Sequence, residues 1–203
     1  MLDPVALAKA LATVPLVSLG GTWHRAIDQE YLTKPPPGFP AGGPPQPLWP
    51  GGAKRNGGRF TPKGSFDTLY LCSDPTTAML EVGAVFKPPK GPLVSPKRNP
   101  LTLTQADGWL DAVLDLMSED TQAMLGTNQQ ELTGHWRTTT NPPTHVLATA
   151  VEACGRILAI RSHSAKNEGA GTILAVLTDH LPEFPPSFVE MIDSSGKLAQ
   201  RLP

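Results

Sequence analysis

The chain lacks most of the features that place a sequence quickly. It has only two cysteines, Cys72 and Cys154, each set among apolar neighbours, so neither a disulfide framework nor a cysteine metal pair is expected. Both read as small core residues of a reducing compartment. Charge is nearly balanced at −1, which leaves no global basic field for nucleic acid or an anionic membrane surface. No uncharged apolar run reaches the roughly 18 residues that a membrane span requires. Asp3 precedes the first lysine and Pro15 breaks the apolar run after Lys9, a poor pattern for a signal peptide. Neither GxGxxG after a strand nor GxxxxGK[ST] occurs, so the standard nucleotide loops are missing. His24, His135, His145, His163 and His180 show no HExxH or HxH spacing, and no metal is expected. The default expectation is a soluble cytoplasmic protein of 203 residues, enough for one domain with a real core.

What the chain has in excess is proline, 23 residues, and much of it is crowded with glycine into residues 34–58, KPPPGFPAGGPPQPLWPGGAKRNGG. Proline fixes φ and lacks an N–H, so this segment is expected to form neither helix nor central strand. It reads as a long irregular or PPII-like loop, either functional or disordered. A docking ligand for another domain is the alternative reading.

Periodicity predicts a helix over residues 3–13 with Val5, Ala8, Leu11 and Ala12 on one stripe, and a short strand over 21–27. Residues 67–72 read as a strand with Leu69 and Leu71 on one face, Tyr70 and Cys72 on the other. Ser73 or Asp74 caps a helix that starts at Pro75 and runs to about Phe86. Residues 91–103 are expected to be extended. A helix over 105–117 follows, capped by Thr104, with Trp109, Leu110, Val113, Leu114 and Met117 on one face. The polar stretch 119–137 is read as partly helical. Asn141 and Pro142 then open a helix that Gly155 stops, and strands are expected over 156–160 and 172–178. Short strands interrupted by helices, without a βαβ rhythm, argue for an α+β fold.

Five residues invite a functional reading. Glu81 is the lone charge among Ala78, Met79, Leu80, Val82 and Val85. It is either a solvated helix glutamate paired with Lys87 or an arginine, or a carboxylate facing a pocket. Arg59 follows a glycine pair that allows close backbone approach; it is either a ligand-facing guanidinium or a surface ion-pair partner. Arg25, inside the strand WHRAI, sits at an edge or points into a polar site. Tyr70 is a half-buried core residue or an aromatic platform. Ser164 lies in a polar loop between two strands, RSHSAKNEGAG. His163 and Ser164 point to opposite faces of an extended chain and make a poor nucleophilic pair, and no GxSxG elbow is present.

These residues resemble the RES domain family, named for an arginine, a glutamate and a serine. The family pattern of GRW-x-x-x-G, a short run ending in tyrosine and S-x-x-x-A-x-x-E is met here by GGRFTPKG, TLYL and SDPTTAMLE. The later PTH helix start, glycine stop, apolar strand and serine loop are met by NPPTHVLA, CG, RILAI and SHSAKN. Arg59, Tyr70, Glu81 and Ser164 match residue by residue, Arg25 resembles the family's earlier arginine, and the likeness spans about residues 18–178. Phe60 stands where tryptophan is usual, Thr61 for asparagine, His163 for proline and Lys166 for arginine.

The resemblance implies a single domain with an ADP-ribosyltransferase-like, split mixed sheet flanked by helices. It would comprise an N-terminal helix (1–17), an NAD-binding domain (18–180) carrying the 34–58 loop, and a C-terminal tail (181–203). It implies a toxin that binds NAD+ as substrate and cleaves the nicotinamide–ribose bond, with water, phosphate or a protein as acceptor. It also implies an antitoxin with a helix-turn-helix part covering the cleft. In that reading Glu81 stabilises the oxocarbenium-like ribose, Arg25 and Arg59 hold the pyrophosphate, Tyr70 flanks the nicotinamide, and Ser164 orients ribose or Glu81. A catalytically weakened binding module of the same fold is the alternative. A nuclease using His163 or His145 is a third reading, disfavoured by the balanced charge.

Overall fold

Asp3 caps the first helix, α1 (Pro4–Thr13), by accepting from the N–H groups of Val5 and Ala6. Such a cap contributes about 1 kcal/mol. The computed structural model describes residues 1–86, 88, 90–96, 100–193 and 198–203. Within it α1 is followed by β1 (Val17–Asp28), α2 (Gly51–Asn56), β2 (Thr68–Cys72), α3 (Pro75–Glu81) and β3 (Leu101–Asp115). Then come α4 (Glu119–Met124), α5 (Gln129–Thr133), α6 (Pro143–Cys154), β4 (Ala159–His163), β5 (Thr172–Leu177), β6 (Phe188–Ile192) and β7 (Ala199–Leu202).

The strands form one mixed sheet in the order β1-β2-β5-β4-β3-β6-β7, with a further pairing of β1 to β3. β3 and β4 run parallel; the other neighbours are antiparallel. Because β1 pairs with both β2 and β3, the pairings close into a ring. The closure is thin: β1 follows β3 from Val17↔Val113 to Asp28↔Leu101, yet meets β2 only at His24↔Cys72 among the described residues. The sheet is split there, and the split borders the cleft described below.

The core lies on both faces of the sheet. Ile173, Ala175 and Leu177 of β5 join Leu7 and Leu11 of α1, Leu147 and Val151 of α6, and Phe60. Leu174 and Val176 point the other way, toward Leu69, Leu71, Leu110, Leu158 and Val189. Burying each such leucine stabilises by about 2 kcal/mol. β2 obeys the predicted alternation: Leu69 and Leu71 join one layer, Tyr70 and Cys72 the other.

Several expectations are corrected. Residues 105–117 are not a helix: 105–115 belong to the longest strand, β3, and 116–117 turn out of it. The segment LDAVLD fits a period of two as well as 3.6, and pairing with β1 decides between them. Leu110, Ala112 and Leu114 are buried while Trp109 is exposed, and Thr104, instead of capping, donates its hydroxyl to Arg25 O at 3.0 Å. α1 buries Leu7 and Leu11 and leaves Val5 exposed, so its stripe is rotated from the predicted one. α3 stops at Glu81 rather than near Phe86, since Gly83 turns the chain at φ +68°. The Pro/Gly segment holds a short helix, α2, because no proline follows Pro50 in it. α6 is opened by Pro142 without a side-chain cap, and Asn141 sits at φ +50° instead. The strand expected over 156–160 is β4, three residues later. Residues beyond 180 are more than a tail, since β6 extends the sheet from β3 and β7 pairs with β6. Of the predicted extended stretch 91–103, residues 97–99 lie outside the described residues, as does Lys87, the candidate partner of Glu81. Among the described residues no helix is long and apolar enough to cross a membrane.

Candidate active site

The glycine pair makes a tight turn that swings two large side chains inward. Gly57, at φ +80°, ends α2. Gly58 and Thr61 then pair in both directions, N–H to O at 2.8 and 3.3 Å, leaving Arg59 and Phe60 at the tip. A Cβ on Gly58 would stand 2.6 Å from the Tyr70 hydroxyl, so only glycine lets the turn lie against that ring. The Tyr70 hydroxyl accepts from Phe60 N at 2.8 Å and shares a hydrogen bond with Thr61 Oγ1 at 2.8 Å. Burial pushes this phenol well above its ordinary range. His145 Nε2 lies 2.9 Å from Gly58 O; a carbonyl only accepts, so this nitrogen carries the proton.

Arg59 is 7% exposed. Its Nη1 donates to Leu132 O at 2.8 Å and to Gly134 O at 3.1 Å, tying the end of α5 to the turn. Burial lowers its pKa, while the charges of Glu81 and Tyr70 act in the opposite sense. Its Nε is buried with no hydrogen-bond partner among the described residues.

The opposite wall is built from hydroxyls. Glu81 ends α3, and its Oε1 accepts from Ser164 Oγ at 2.6 Å. Ser164 Oγ itself accepts from Lys166 N at 3.1 Å and Asn167 N at 3.0 Å. Its single proton is therefore committed to Glu81, which must present an unprotonated oxygen there. The serine loop is anchored further back. Asn167 Nδ2 donates to Thr77 Oγ1 at 2.8 Å, and Thr77 Oγ1 donates to Asp74 Oδ2 at 2.5 Å. Asp74 caps α3 through Thr77 N at 2.8 Å and accepts from Ser73 Oγ at 3.0 Å. Burial works to raise the Asp74 carboxyl, but the bonds from Thr77, Ser73 and Thr76 outweigh it and hold it below its ordinary value. Gly171 is required, because a Cβ there would collide with Thr77 Oγ1.

Arg25 reaches the same cleft from β1. Its Nη1 donates to Pro47 O at 3.2 Å and its Nη2 to Trp49 O at 2.9 Å, fastening the Pro/Gly segment beside the opening. Burial pushes its pKa down to about 10, against the opposing influence of Cys72. The far side of that segment is held by β7: Leu48 N donates to Gln200 Oε1 at 2.7 Å, and Gln200 Nε2 to Gln46 Oε1 at 2.7 Å. Cys72 lines the cleft as a free thiol, pushed up by burial and then by the charges of Glu81 and Asp74.

Arg25, Arg59, Tyr70 and Glu81 thus line one cleft of about 410 Å³, and Ser164 joins them through Glu81. Arg137 and Lys166 line it too, so among the described residues four cationic side chains share the cleft with one carboxylate in a chain of net charge −1. The cleft concentrates positive field that the whole molecule lacks, and it suits a ligand with more than one negative charge. Trp136, Arg137, Asn167 and Thr77 were missed by sequence reasoning. The one signal for Trp136 and Arg137 was GHWR, an aromatic and cations after glycine, outside any core stripe. Among the described residues no group of three or more His, Cys, Asp or Glu side chains could hold a metal ion.

The fold is also that of a known structure. A chain of the crystal structure of the M. tuberculosis MbcT–MbcA toxin–antitoxin complex superposes with a TM-score of 0.59, covering 97% of this chain and 90% of that one, at 17% identity. At that identity the likeness speaks for the fold alone. No curated protein sequence matches the chain. The sequence pattern of the RES domain matches residues 23–196, a span that includes the arginine turn, α3 and the serine loop. By that match across most of its length, the chain belongs to the RES domain family.

Proposed function

We propose that this chain is an NAD+-consuming enzyme that cleaves the nicotinamide–ribose bond, and that it acts as a toxin neutralised by an antitoxin. The observation that carries the reading is the Ser164–Glu81 hydrogen bond of 2.6 Å, which orients a carboxylate in a cationic cleft. The arrangement suits the chemistry. As the N-glycosidic bond breaks, its electron pair leaves with nicotinamide, which departs neutral, and positive charge develops on the ribose. Glu81 faces that charge from a site where fixed partners cost no reorganisation. Arg59, with an unpartnered Nε, and Arg25 face the pyrophosphate, and Tyr70 forms the wall beside the nicotinamide. Water, phosphate or a protein side chain then takes the ribose carbon, which makes the enzyme a glycohydrolase, a phosphorylase or an ADP-ribosyltransferase.

The replacements at Phe60 and Thr61 fit an intact site: Phe60 is fully buried in the core, and Thr61 bonds the Tyr70 hydroxyl. The partner expected from the family is a helix-turn-helix antitoxin that covers the cleft. The MbcT–MbcA complex, named as a toxin–antitoxin pair, has a chain of this fold. The test is nicotinamide release from NAD+ by the purified chain, with and without phosphate, beside Glu81→Gln. Release by the native chain and its loss in the variant support the reading. A native chain that binds NAD+ but never releases nicotinamide, even with cell extract as a source of acceptors, would move the assignment to a binding module.

A further inference from the structure

Trp136 is the large aromatic side chain of the cleft that the proposed chemistry leaves unused. Its ring packs tilted against His145 at 5.6 Å between centroids and lies beside Gly57, where a Cβ would come within 3.6 Å of Cζ3. The Arg137 guanidinium sits over the ring at 5.2 Å from its centroid. Trp136 is half-buried and Arg137 exposed, and Arg137 makes no ion pair among the described residues. A flat π-surface braced by His145 and overlain by an exposed cation is the equipment for stacking a planar heteroaromatic ring.

Its position gives it a partner in the ligand. Gly134 O accepts from both Arg59 Nη1, at 3.1 Å, and the Trp136 N–H, at 2.9 Å. Arg59, Glu81 and Trp136 all line the one cleft, and the buried guanidinium shares its backbone anchor with the indole's own segment. Glu81 and Ser164 belong to α3 and the serine loop, whereas Trp136 and His145 pack beside the arginine turn. A dinucleotide whose pyrophosphate meets Arg59 and whose scissile ribose meets Glu81 has one further planar ring, at its opposite end.

We infer that Trp136, with Arg137 over it, is the subsite for the adenine ring, and that it sets the preference for a dinucleotide over a mononucleotide. The inference rests on reading the cleft as an NAD+ site. The base displaces the Arg137 guanidinium from the indole face and leaves that cation free to meet a phosphate.

The test uses two probes that divide the ligand. ADP carries adenine and pyrophosphate without nicotinamide; nicotinamide mononucleotide carries the scissile bond without adenosine. Calorimetric binding of each is measured for the native chain, Trp136→Ala, Trp136→Phe and Arg137→Gln, with melting curves to verify folding. Trp136→Ala is expected to weaken ADP about ten-fold or more, leave nicotinamide mononucleotide within about two-fold, and raise KM for NAD+ at unchanged kcat. Trp136→Phe, which keeps an aromatic face, recovers most of the loss and carries the test if the alanine variant does not fold. Three results overturn the proposal: native protein without affinity for ADP, ADP binding indifferent to Trp136, or equal loss of both probes. Trp136-dependent ADP binding without any nicotinamide release would instead sink the proposed reaction while leaving the subsite standing.

Discussion

The two walls of the cleft are held by different means. On the α3 side, a chain of side chains from Asp74 through Thr77 and Asn167 leads to Ser164 and Glu81, each hydroxyl proton having a defined destination. On the arginine side, Arg25 and Arg59 are held by backbone carbonyls, Pro47 and Trp49 of the Pro/Gly segment for one, Leu132 and Gly134 at the end of α5 for the other. The first wall orients one oxygen. The second places charge, and the loops that supply the carbonyls are shaped in return. Precision is built from side-chain hydroxyls within a short helix and loop, and field from cations that double as fasteners.

Breaking each wall should give different symptoms. The largest effect is expected from Glu81→Gln: loss of nicotinamide release by about a hundred-fold or more with the melting temperature nearly unchanged, since the amide still accepts from Ser164. Gly58→Ala drives a methyl into Tyr70 and disturbs the turn that carries Arg59; it should cost about 1–3 kcal/mol in urea unfolding and most of the activity. Thr77→Val removes the hydroxyl that joins Asn167 to Asp74 and should lower kcat several-fold, while Thr77→Ser restores it; equal activity of the two variants would show that the chain of hydroxyls is idle. Gln200→Ala releases Leu48 N and Gln46, and a loss of about 1 kcal/mol in stability is expected with a rise in KM, because the wall fastened by Arg25 loosens. The smallest effect concerns acid. The Asp74 carboxyl is depressed in the folded chain, so its contribution is fully present above its unfolded pKa and is lost as pH falls through the folded value. Thermal melts of native chain and Asp74→Asn between pH 6 and 2 should differ at the upper end and converge at the lower (~6 to ~2 spans the carboxylate range).

The same contrast explains what could be read beforehand. Arg59, Tyr70, Glu81 and Ser164 stand in short segments whose local chemistry is legible: a glycine pair, an alternating strand, a proline-started helix, a polar loop between strands. Their meeting in one cleft follows from β2 pairing with β5 and β5 with β4, which no local pattern announces. Trp136 escaped because it opens a 3₁₀ turn of three residues, too short to show a periodic pattern, and Asn167 because its partner Thr77 lies 90 residues away. The helix expected over 105–117 failed for a related reason. LDAVLD presents apolar residues to two layers at once, and pairing with β1 at Leu110 and Val113 and with β4 from Val113 to Asp115 makes it extended. The RES resemblance reached the family, since the order of several weak motifs carries more than any one of them.

A carboxylate ordinarily offers two equivalent oxygens and can swap them by rotation. Here the serine proton has nowhere else to go, so one of the two oxygens is always engaged, whichever way the group turns. The other oxygen keeps its full accepting capacity for whatever enters the cleft, so the two ends of the carboxylate are no longer alike.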